Sequence, residues 1–382
     1  MKALHAPTTF RALRPEDDAE VRRLLHSAPM DGAIRLRLTQ DPSYFAATGI
    51  GGAEEILLVA HQAARLVALG RCTVQDRFVH GQPRRCGYLA HLRLAPDAVC
   101  RGALVRDGFR AFAAALASRP AELYFTSILD DNARARSVLE RRRPGMPVYT
   151  RIGGYATFVL NAPAAHTAPF LRERAETALA RAGFRIVSGA SLGPAGLADA
   201  LNRLARAHPL ALAWSEALLG RLSGHGLGVG DFSLLQEGAR CVAAFALWDQ
   251  RAFRQITVDS YQPPLGLLRH AYNAYATLSR LPRLPPPGGT LRQAFVSPLL
   301  GAADVTGALP AWIDYARAQA GERGLHYVVL GHGTGDAARD RTFGALRARR
   351  IASTLFRVAW DFEPSANGAA PTPPWDPEVA LL

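Results

Sequence analysis

Lysine is almost missing from this chain. Lys2 is its one lysine, and the rest of its 45 basic residues are arginines, a usage typical of a GC-rich genome. The arginines are spread along the sequence without a basic cluster interleaved with aromatic residues, so we do not expect a nucleic-acid partner. The net charge of +13 would also attract the phosphates of a nucleotide cofactor, so charge alone does not separate these two kinds of ligand.

Cysteine is scarce as well. The four cysteines are Cys72, Cys86, Cys100 and Cys241, and no two of them are separated by only two residues. A disulfide framework, a zinc site and thioredoxin-like chemistry therefore have no support. We expect buried, reduced thiols and no bound metal.

Long apolar runs are absent too. No stretch approaches the roughly 18 uninterrupted apolar residues that a membrane helix requires. Residues 1–15 mix basic residues and prolines without the apolar block of a secretory signal. These absences predict a cytoplasmic protein with no membrane contact.

The spacing of apolar residues predicts a first set of alternating strands and helices. Its expected elements are a strand at 10–14, a helix at 16–27, strands at 55–61, 66–74 and 86–94, a helix at 104–118, a strand at 122–129, a helix at 132–142 and extended chain at 148–160. The three closely spaced strands predict an antiparallel meander, and the later helices predict crossover connections in a mixed sheet. Residues 31–45 are ambiguous, and we expect a helix there.

A second set of elements repeats this order after an Ala/Arg-rich helix. It comprises a strand at 184–187, helices within 197–221, strands at 232–236, 239–249 and 253–260, a helical insertion at 264–281, a strand at 291–296, a helix at 308–320, a strand at 326–331, a helix at 337–350 and a strand at 353–362. We therefore predict an N-terminal tail (1–8), a first domain (9–163), a linking helix (164–182), a second domain (183–362) and a flexible tail (363–382). The fold class is mixed α/β, with a largely antiparallel sheet flanked by helices in each domain.

A possible phosphate-binding turn follows the third meander strand. The strand ends in Leu92–Asp97, and the loop Cys100–Ala103 opens the next helix. Such a helix start has unpaired N–H groups and a positive dipole end, and glycine lets phosphate oxygens approach the backbone. This order of strand, Pro-acidic step, loop and helix resembles the GNAT superfamily of acyl-CoA N-acyltransferases. The family's loop pattern is met at Gly102 but not at Val99 or Leu104.

The resemblance implies a binding site for acetyl-CoA or another acyl-CoA as co-substrate in the first domain. The residues that it places in that site are Leu92, Arg93, Leu94, Arg101, Gly102, Ala103, Leu104 and Asn132. By analogy, the N–H of Leu94 would stabilise the oxyanion, and Asn132 would bind the pantetheine arm. Asn132 is equally well suited to cap the helix that follows it.

Three further residues are candidates for the reaction itself. His91 lies on the same strand, and an imidazole has a pKa suited to a general base. Relatives often have a tyrosine acid where this chain has Leu139, so Tyr149 is the substitute that we select from the nearby tyrosines. Asp249 lies in a polar-aromatic hairpin, where it would accept an amine or simply pair with a neighbouring arginine.

The resemblance therefore predicts an N-acyltransferase, in the first instance an N-acetyltransferase, that acts on an amine of a small molecule or peptide. Two alternatives stay open. The departures from the loop pattern favour a non-catalytic module that binds CoA or a metabolite. Tandem GNAT folds also occur in tRNA-dependent aminoacyl transferases, for which a basic surface would be expected.

Overall fold

The computed structural model describes residues 7–27, 29–30, 32–141, 143–279, 281–301, 303–360 and 374–382. Its first unit contains β1 (Thr8–Ala12), α1 (Asp18–His26), β2 (Ile34–Thr39), β3 (Glu54–Gln62), β4 (Arg65–Val79), β5 (Gln82–Leu94), α2 (Arg101–Leu116), β6 (Leu123–Leu129), α3 (Ala133–Leu139) and β7 (Val148–Asn161). Helix α4 (Ala168–Arg181) connects it to the second unit.

The second unit repeats that order with two differences. It contains β8 (Arg185–Ser188), α5 (Gly193–Ala205), α6 (Glu216–Ser223), β9 (Phe232–Glu237), β10 (Arg240–Trp248), β11 (Gln255–Tyr261), α7 (Leu265–Leu278), β12 (Gln293–Gly301), α8 (Leu309–Glu322), β13 (Tyr327–Thr334), α9 (Ala337–Gly344) and β14 (Arg349–Ala359). Helix α6 takes the place of β2, and β11 and α7 are inserted between the second and third strands of the meander. The mixed α/β fold class and the repeated order of elements are confirmed.

The two units share one continuous sheet. The described strands pair in the order β1-β3-β4-β5-β6-β14-β7-β13-β12-β10-β9-β8. Strand β14 of the second unit lies between β6 and β7 of the first, and β7 in turn pairs with β13. Each unit thus completes its sheet with the last strand of the other. The predicted domain boundary, between residues 163 and 183, therefore divides the sequence between β7 and the two strands that pair with it, β13 and β14.

Alternating apolar and basic residues explain one wrong prediction. We expected a helix over 31–45, but Ile34–Thr39 form β2, in which apolar side chains alternate with Arg35 and Arg37. A period of two suits a strand with one face against protein. Strand β2 pairs antiparallel with β11 of the second unit and forms a two-stranded ribbon that joins the units.

Long-range strand pairing also explains why some helices and strands of the second unit end at other residues than predicted. The predicted helix 337–350 stops at Gly344, because β14 begins at Arg349, where it pairs with Val159 of β7. Strand β12 continues past Pro298 to Gly301, and its register with β10 shifts at this proline. A proline is tolerated at such a bulge because the ladder is already interrupted there.

The predicted flexible tail is wrong for residues 374–382. Trp375, Ala380 and Leu381 of this segment are buried in the core that both units share. Residues 363–373, the remainder of that predicted tail, lie outside the described residues. The thiol prediction also needs correction: no cysteine is disulfide-bonded and Cys72 and Cys86 are buried, but Cys100 is exposed. None of the described helices combines the length and the apolar composition needed to cross a bilayer.

Candidate active site

A cleft opens between β5 and β6. The two strands pair in parallel only from Cys86 to Tyr88, opposite Leu123–Phe125. Beyond Tyr88 the register of β5 with β4 shifts by one extra β5 residue, and His91 adopts a left-handed backbone with φ 55°. Such a bulge bends a strand and interrupts its pairing. The bulge therefore turns the end of β5 away from β6.

Backbone N–H groups point into this cleft from both strands. On β5, Ala95 donates to Val67 O at 2.8 Å, so Leu94 falls at a position whose N–H points away from β4. On β6, Asp130 donates to Ala352 O at 3.0 Å, so the N–H of Leu129 points away from β14. The cleft thus offers backbone donors to a ligand that lies between the strands.

The start of α2 is suited to an anion. Its cap residue Cys100 has φ 51° and makes no side-chain cap, and the first helical bond runs from Leu104 N–H to Cys100 O at 3.0 Å. The N–H groups of Arg101, Gly102 and Ala103 precede that bond, and the first turn has no acidic residue. A Cβ at Gly102 would meet no atom within 4 Å. The helix start therefore exposes a positive dipole end beside open space.

Two of the expected cofactor residues have structural partners. The guanidinium of Arg101 donates to Pro96 O at 3.1 Å, which holds it beside the loop that precedes α2. Asn132 caps α3, and its Oδ1 accepts the N–H of Ala135 at 3.0 Å. The carboxamide nitrogen of Asn132 is the part left for a ligand, so the capping role and the binding role are compatible.

His91 is held in a positively charged environment. Its Nδ1 shares a hydrogen bond of 2.9 Å with the hydroxyl of Tyr44. Burial, reinforced by the charges of Arg71, Arg93 and Arg254, holds the pKa of His91 well below its usual value. Of these arginines, Arg71 is paired with Glu55 at 2.5 Å. The imidazole is therefore neutral at pH 7, and its Nε2 has a lone pair available for a proton when Nδ1 carries the hydrogen that it shares with Tyr44.

Tyr149 is separated from this group. Its ring packs edge-on against Phe109 and Phe356, with centroids 6.2 and 6.3 Å away, in the apolar cluster beneath α2. The phenol nearer to His91 along β5 is Tyr88, toward which the N–H of Ser127 is directed. Burial raises the pKa of Tyr88 to about 12, so its hydroxyl keeps its proton.

Asp249 has its own partner in the β10–β11 hairpin. Its carboxylate accepts the N–H of Arg251 at 3.0 Å and that residue's guanidinium at 2.6 Å. Of the two roles that we considered for Asp249, the contacts support pairing with a neighbouring arginine, Arg251. The structure does not bring Asp249 into contact with His91 within the described chain.

Sequence reasoning missed Tyr44 and Arg254. Tyr44 lies 47 residues before His91 and comes from a segment that we expected to be helical. Arg254 immediately precedes β11, the strand that the second unit contributes to the β2–β11 ribbon. Since both contacts depend on long-range packing, no local pattern could have indicated them.

The matching cleft of the second unit is filled by the segment 374–382. Strands β12 and β13 pair in parallel only from Gln293 to Phe295. Beyond this point Ala380 donates to Ser297 Oγ at 3.4 Å, and Asp376 Oδ1 accepts Gly333 N–H at 2.9 Å. The segment therefore occupies the space that corresponds to the β5–β6 cleft.

Ion pairs anchor this segment. Asp376 contacts His208 at 2.8 Å and Arg339 at 2.7 Å. Glu378 contacts Arg77 of β4 at 2.7 Å and accepts the N–H of Leu212. The anchors reach both units, so the segment also ties the first unit to the second.

Comparison of the fold with solved structures identifies similar proteins. N-myristoyltransferase from Saccharomyces cerevisiae with bound myristoyl-CoA matches 93% of this chain and 83% of its own, with 9% identity and a TM-score of 0.56. A glucosamine N-acetyltransferase region of a fungal multi-domain GH3 β-N-acetylglucosaminidase matches 92% of this chain and 38% of its own, with 12% identity and a TM-score of 0.55.

At the level of sequence, neither a family model nor a curated protein matches this chain. The structural likeness, at identities this low, concerns the fold. It agrees with the repeated order of elements and with the two places where parallel strands diverge. The predicted resemblance is confirmed for the fold: the chain has a GNAT fold, in which most of the order of elements occurs twice.

Proposed function

We propose that the chain transfers an acyl group from acyl-CoA to an amine of a small molecule or peptide, in the first unit. One observation carries this proposal: the β5–β6 cleft presents the N–H of Leu94, and the second unit's cleft is filled by protein. The pyrophosphate would bind at Gly102 on α2, and the pantetheine arm would lie along the cleft toward Asn132. Arg93 and Leu92, which flank the bulge, would border the thioester.

The reaction needs one proton acceptor and one proton donor. The acceptor nitrogen attacks the thioester carbonyl, whose developing negative charge the N–H of Leu94 stabilises. The new C–N bond forms, the C–S bond breaks, and the attacking nitrogen loses its proton to the neutral imidazole of His91. We propose Tyr88 in place of Tyr149 as the donor that protonates the departing thiolate, because Tyr88 lies on β5, three residues before His91, whereas Tyr149 lies on β7 with its ring against Phe109 and Phe356.

The arginines near His91 also favour the nucleophile. An amine attacks only when it is unprotonated, and nearby positive charge lowers the pKa of a bound ammonium. Arg93 and Arg254 have no ion-pair partner among the described residues, so their charges are not neutralised within that part of the chain. The pKa of an ammonium bound in this site is therefore lower than its pKa in water, so a larger fraction of the bound amine is unprotonated.

The acyl group that we propose is a short one, as in acetyl-CoA. A cavity of about 30 Å³ lies beside Leu92 and Leu94, beneath α2. That volume corresponds to about two water molecules. It is lined entirely by apolar residues and glycine, among them Leu104 and Phe112, which suits the methyl of an acetyl group.

Replacing His91 by alanine tests its role as base. We expect kcat to fall by about 100-fold, the usual contribution of a positioned general base, while the Kd for acetyl-CoA stays unchanged. In the unaltered protein, kcat at saturating substrates should stay level as the pH falls through 6.5, because the pKa of His91 is lowered and the imidazole remains neutral.

Steady-state kinetics from pH 5 to 9, with calorimetry for the Kd, provide both readouts. The variant Tyr44→Phe is the matched control, since it keeps the ring beside His91 but removes the hydroxyl; we expect a smaller loss of kcat. A His91→Ala protein with nearly full kcat would contradict the assignment.

The function as a whole is tested by two measurements on the complete chain. Calorimetry with acetyl-CoA and longer acyl-CoAs measures binding, and a free-thiol assay over a panel of amines measures transfer. Binding followed by amine-dependent thiol release supports the proposal. Tight binding with no thiol release for any amine would instead identify a non-catalytic module, and no binding would contradict both.

A further inference from the structure

Arg254 differs from three interior arginines that have ion-pair partners, and it shares with Arg93 the lack of such a partner among the described residues. Arg71, Arg77 and Arg339 are each paired with a carboxylate, at 2.5, 2.7 and 2.7 Å respectively. Within the described part of the chain, the guanidinium of Arg254 has neither an ion pair nor a hydrogen bond, and it lies over the ring of Phe295 at 5.4 Å. A partly buried cation without a counter-ion costs stability, so its presence calls for a ligand.

The surroundings of Arg254 hold its side chain at the proposed active site. The next residue, Gln255, is fixed on the β2 side, where its amide bonds Thr39 and Asp41. Arg254, which immediately precedes β11, has its guanidinium over the ring of Phe295 of β12, and its charge acts on Tyr88 of β5. Its charge also acts on His91.

The chemistry of this position favours one class of ligand. A guanidinium binds a carboxylate through two parallel N–H···O bonds, and one carboxylate neutralises one arginine. Burial lowers the pKa of Arg254 to about 10, so its guanidinium is still protonated at neutral pH and can pair with a carboxylate. The phosphates of CoA are assigned to the start of α2, so they do not account for Arg254.

We propose that Arg254 binds a carboxylate of the acceptor, and that the acceptor is therefore an amino acid or another amine that also carries a carboxylate. The inference rests on the proposed transfer reaction and names its substrate class. The amine would lie beside His91 while the carboxylate is held at the junction of the two units.

Paired acceptors test this directly. The probes are glycine, β-alanine, γ-aminobutyrate and glutamate, each compared with its carboxamide in the thiol-release assay with acetyl-CoA. We expect kcat/KM for at least one acid to exceed that of its carboxamide by about tenfold to a hundredfold, the range for a hydrogen-bonded charge. In Arg254→Met that preference should be lost because KM for the acids rises while kcat stays the same. Arg254→Lys should restore part of the preference. Arg240→Met, in an exposed pair with Glu237, is the control and should keep the preference.

Thermal unfolding gives a second, independent readout. Because Arg254 has no described partner, Arg254→Met should raise Tm, by roughly 2 °C, whereas loss of a structural arginine would lower it. Equal rates on acids and carboxamides, a preference retained in Arg254→Met, or a lowered Tm would each overturn the inference. If no amine is turned over, the four acids are titrated calorimetrically into the CoA-loaded protein. Absence of binding by all four would contradict the proposal that Arg254 binds a carboxylate. Failure to bind acetyl-CoA at all would instead contradict the proposed function itself.

Discussion

Replacing Arg77 by methionine is expected to lower the free energy of unfolding by about 3–5 kcal/mol. Arg77 is 1% exposed and donates to Glu378 at 2.7 Å and to Leu210 O at 2.6 Å. Without Arg77, the buried carboxylate of Glu378 has lost its charged partner. The pKa of Glu378 is already raised by burial, which shows that its charge is poorly solvated.

Urea unfolding of the variant, followed by tryptophan fluorescence, measures this loss. Trp375 is buried in the same segment and is one of five tryptophans, so the difference from the signal of a Trp375→Phe background reports release of residues 374–382. Arg174→Met is the control, because Arg174 is 72% exposed in its pair with Asp314 and should change stability by no more than about 0.5 kcal/mol. A double variant, Arg77→Met with Glu378→Met, should recover part of the loss. Equal stability of Arg77→Met and the unaltered protein would show that the segment is not anchored as described.

Replacing Gly102 by aspartate should weaken acetyl-CoA binding by about 100-fold or more. A carboxylate in the first turn of α2 would face the pyrophosphate, and like charges at about 4 Å repel by several kcal/mol near a protein surface. The side chain has room, since no atom lies within 4 Å of its Cβ position. An acidic residue at a helix start also favours the helix dipole, so the fold should not suffer.

Calorimetry with acetyl-CoA checks this, and Tm confirms that the variant is folded. The matched control is Gly220→Asp, an exposed helical glycine in α6 with the same open surroundings. It should bind acetyl-CoA as the unaltered protein does. An unchanged Kd in Gly102→Asp would mean that the phosphates lie elsewhere.

Local patterns were enough to predict the order of elements. The period of apolar residues in α2 corresponds to a buried face of Leu104, Val105, Phe109, Phe112 and Leu116. This periodicity depends on neighbouring residues, so a single sequence contains the information. The start of this helix was predicted less well: α2 begins at Arg101, three residues before the predicted Leu104, and so includes Gly102.

Local sequence patterns could not predict which distant residues pair with one another. The exchange of β7 and β14, the β2–β11 ribbon and the buried segment 374–382 each join residues far apart in the chain. The high content of Pro, Ala and Gly after residue 363 predicted a flexible tail, and Asp376 and Glu378 are charged residues within its last part. Only their buried partners Arg77, His208 and Arg339 make that position favourable.

The central claim is that acyl-CoA binds in the first unit alone. The most direct measurement is a crystal or cryo-EM map of the chain with acetyl-CoA. We predict one molecule per chain, with its pyrophosphate at Gly102 and its thioester beside Leu94, and with residues 374–382 still between β12 and β13. Density for the cofactor between β12 and β13, with that segment displaced, would contradict the account.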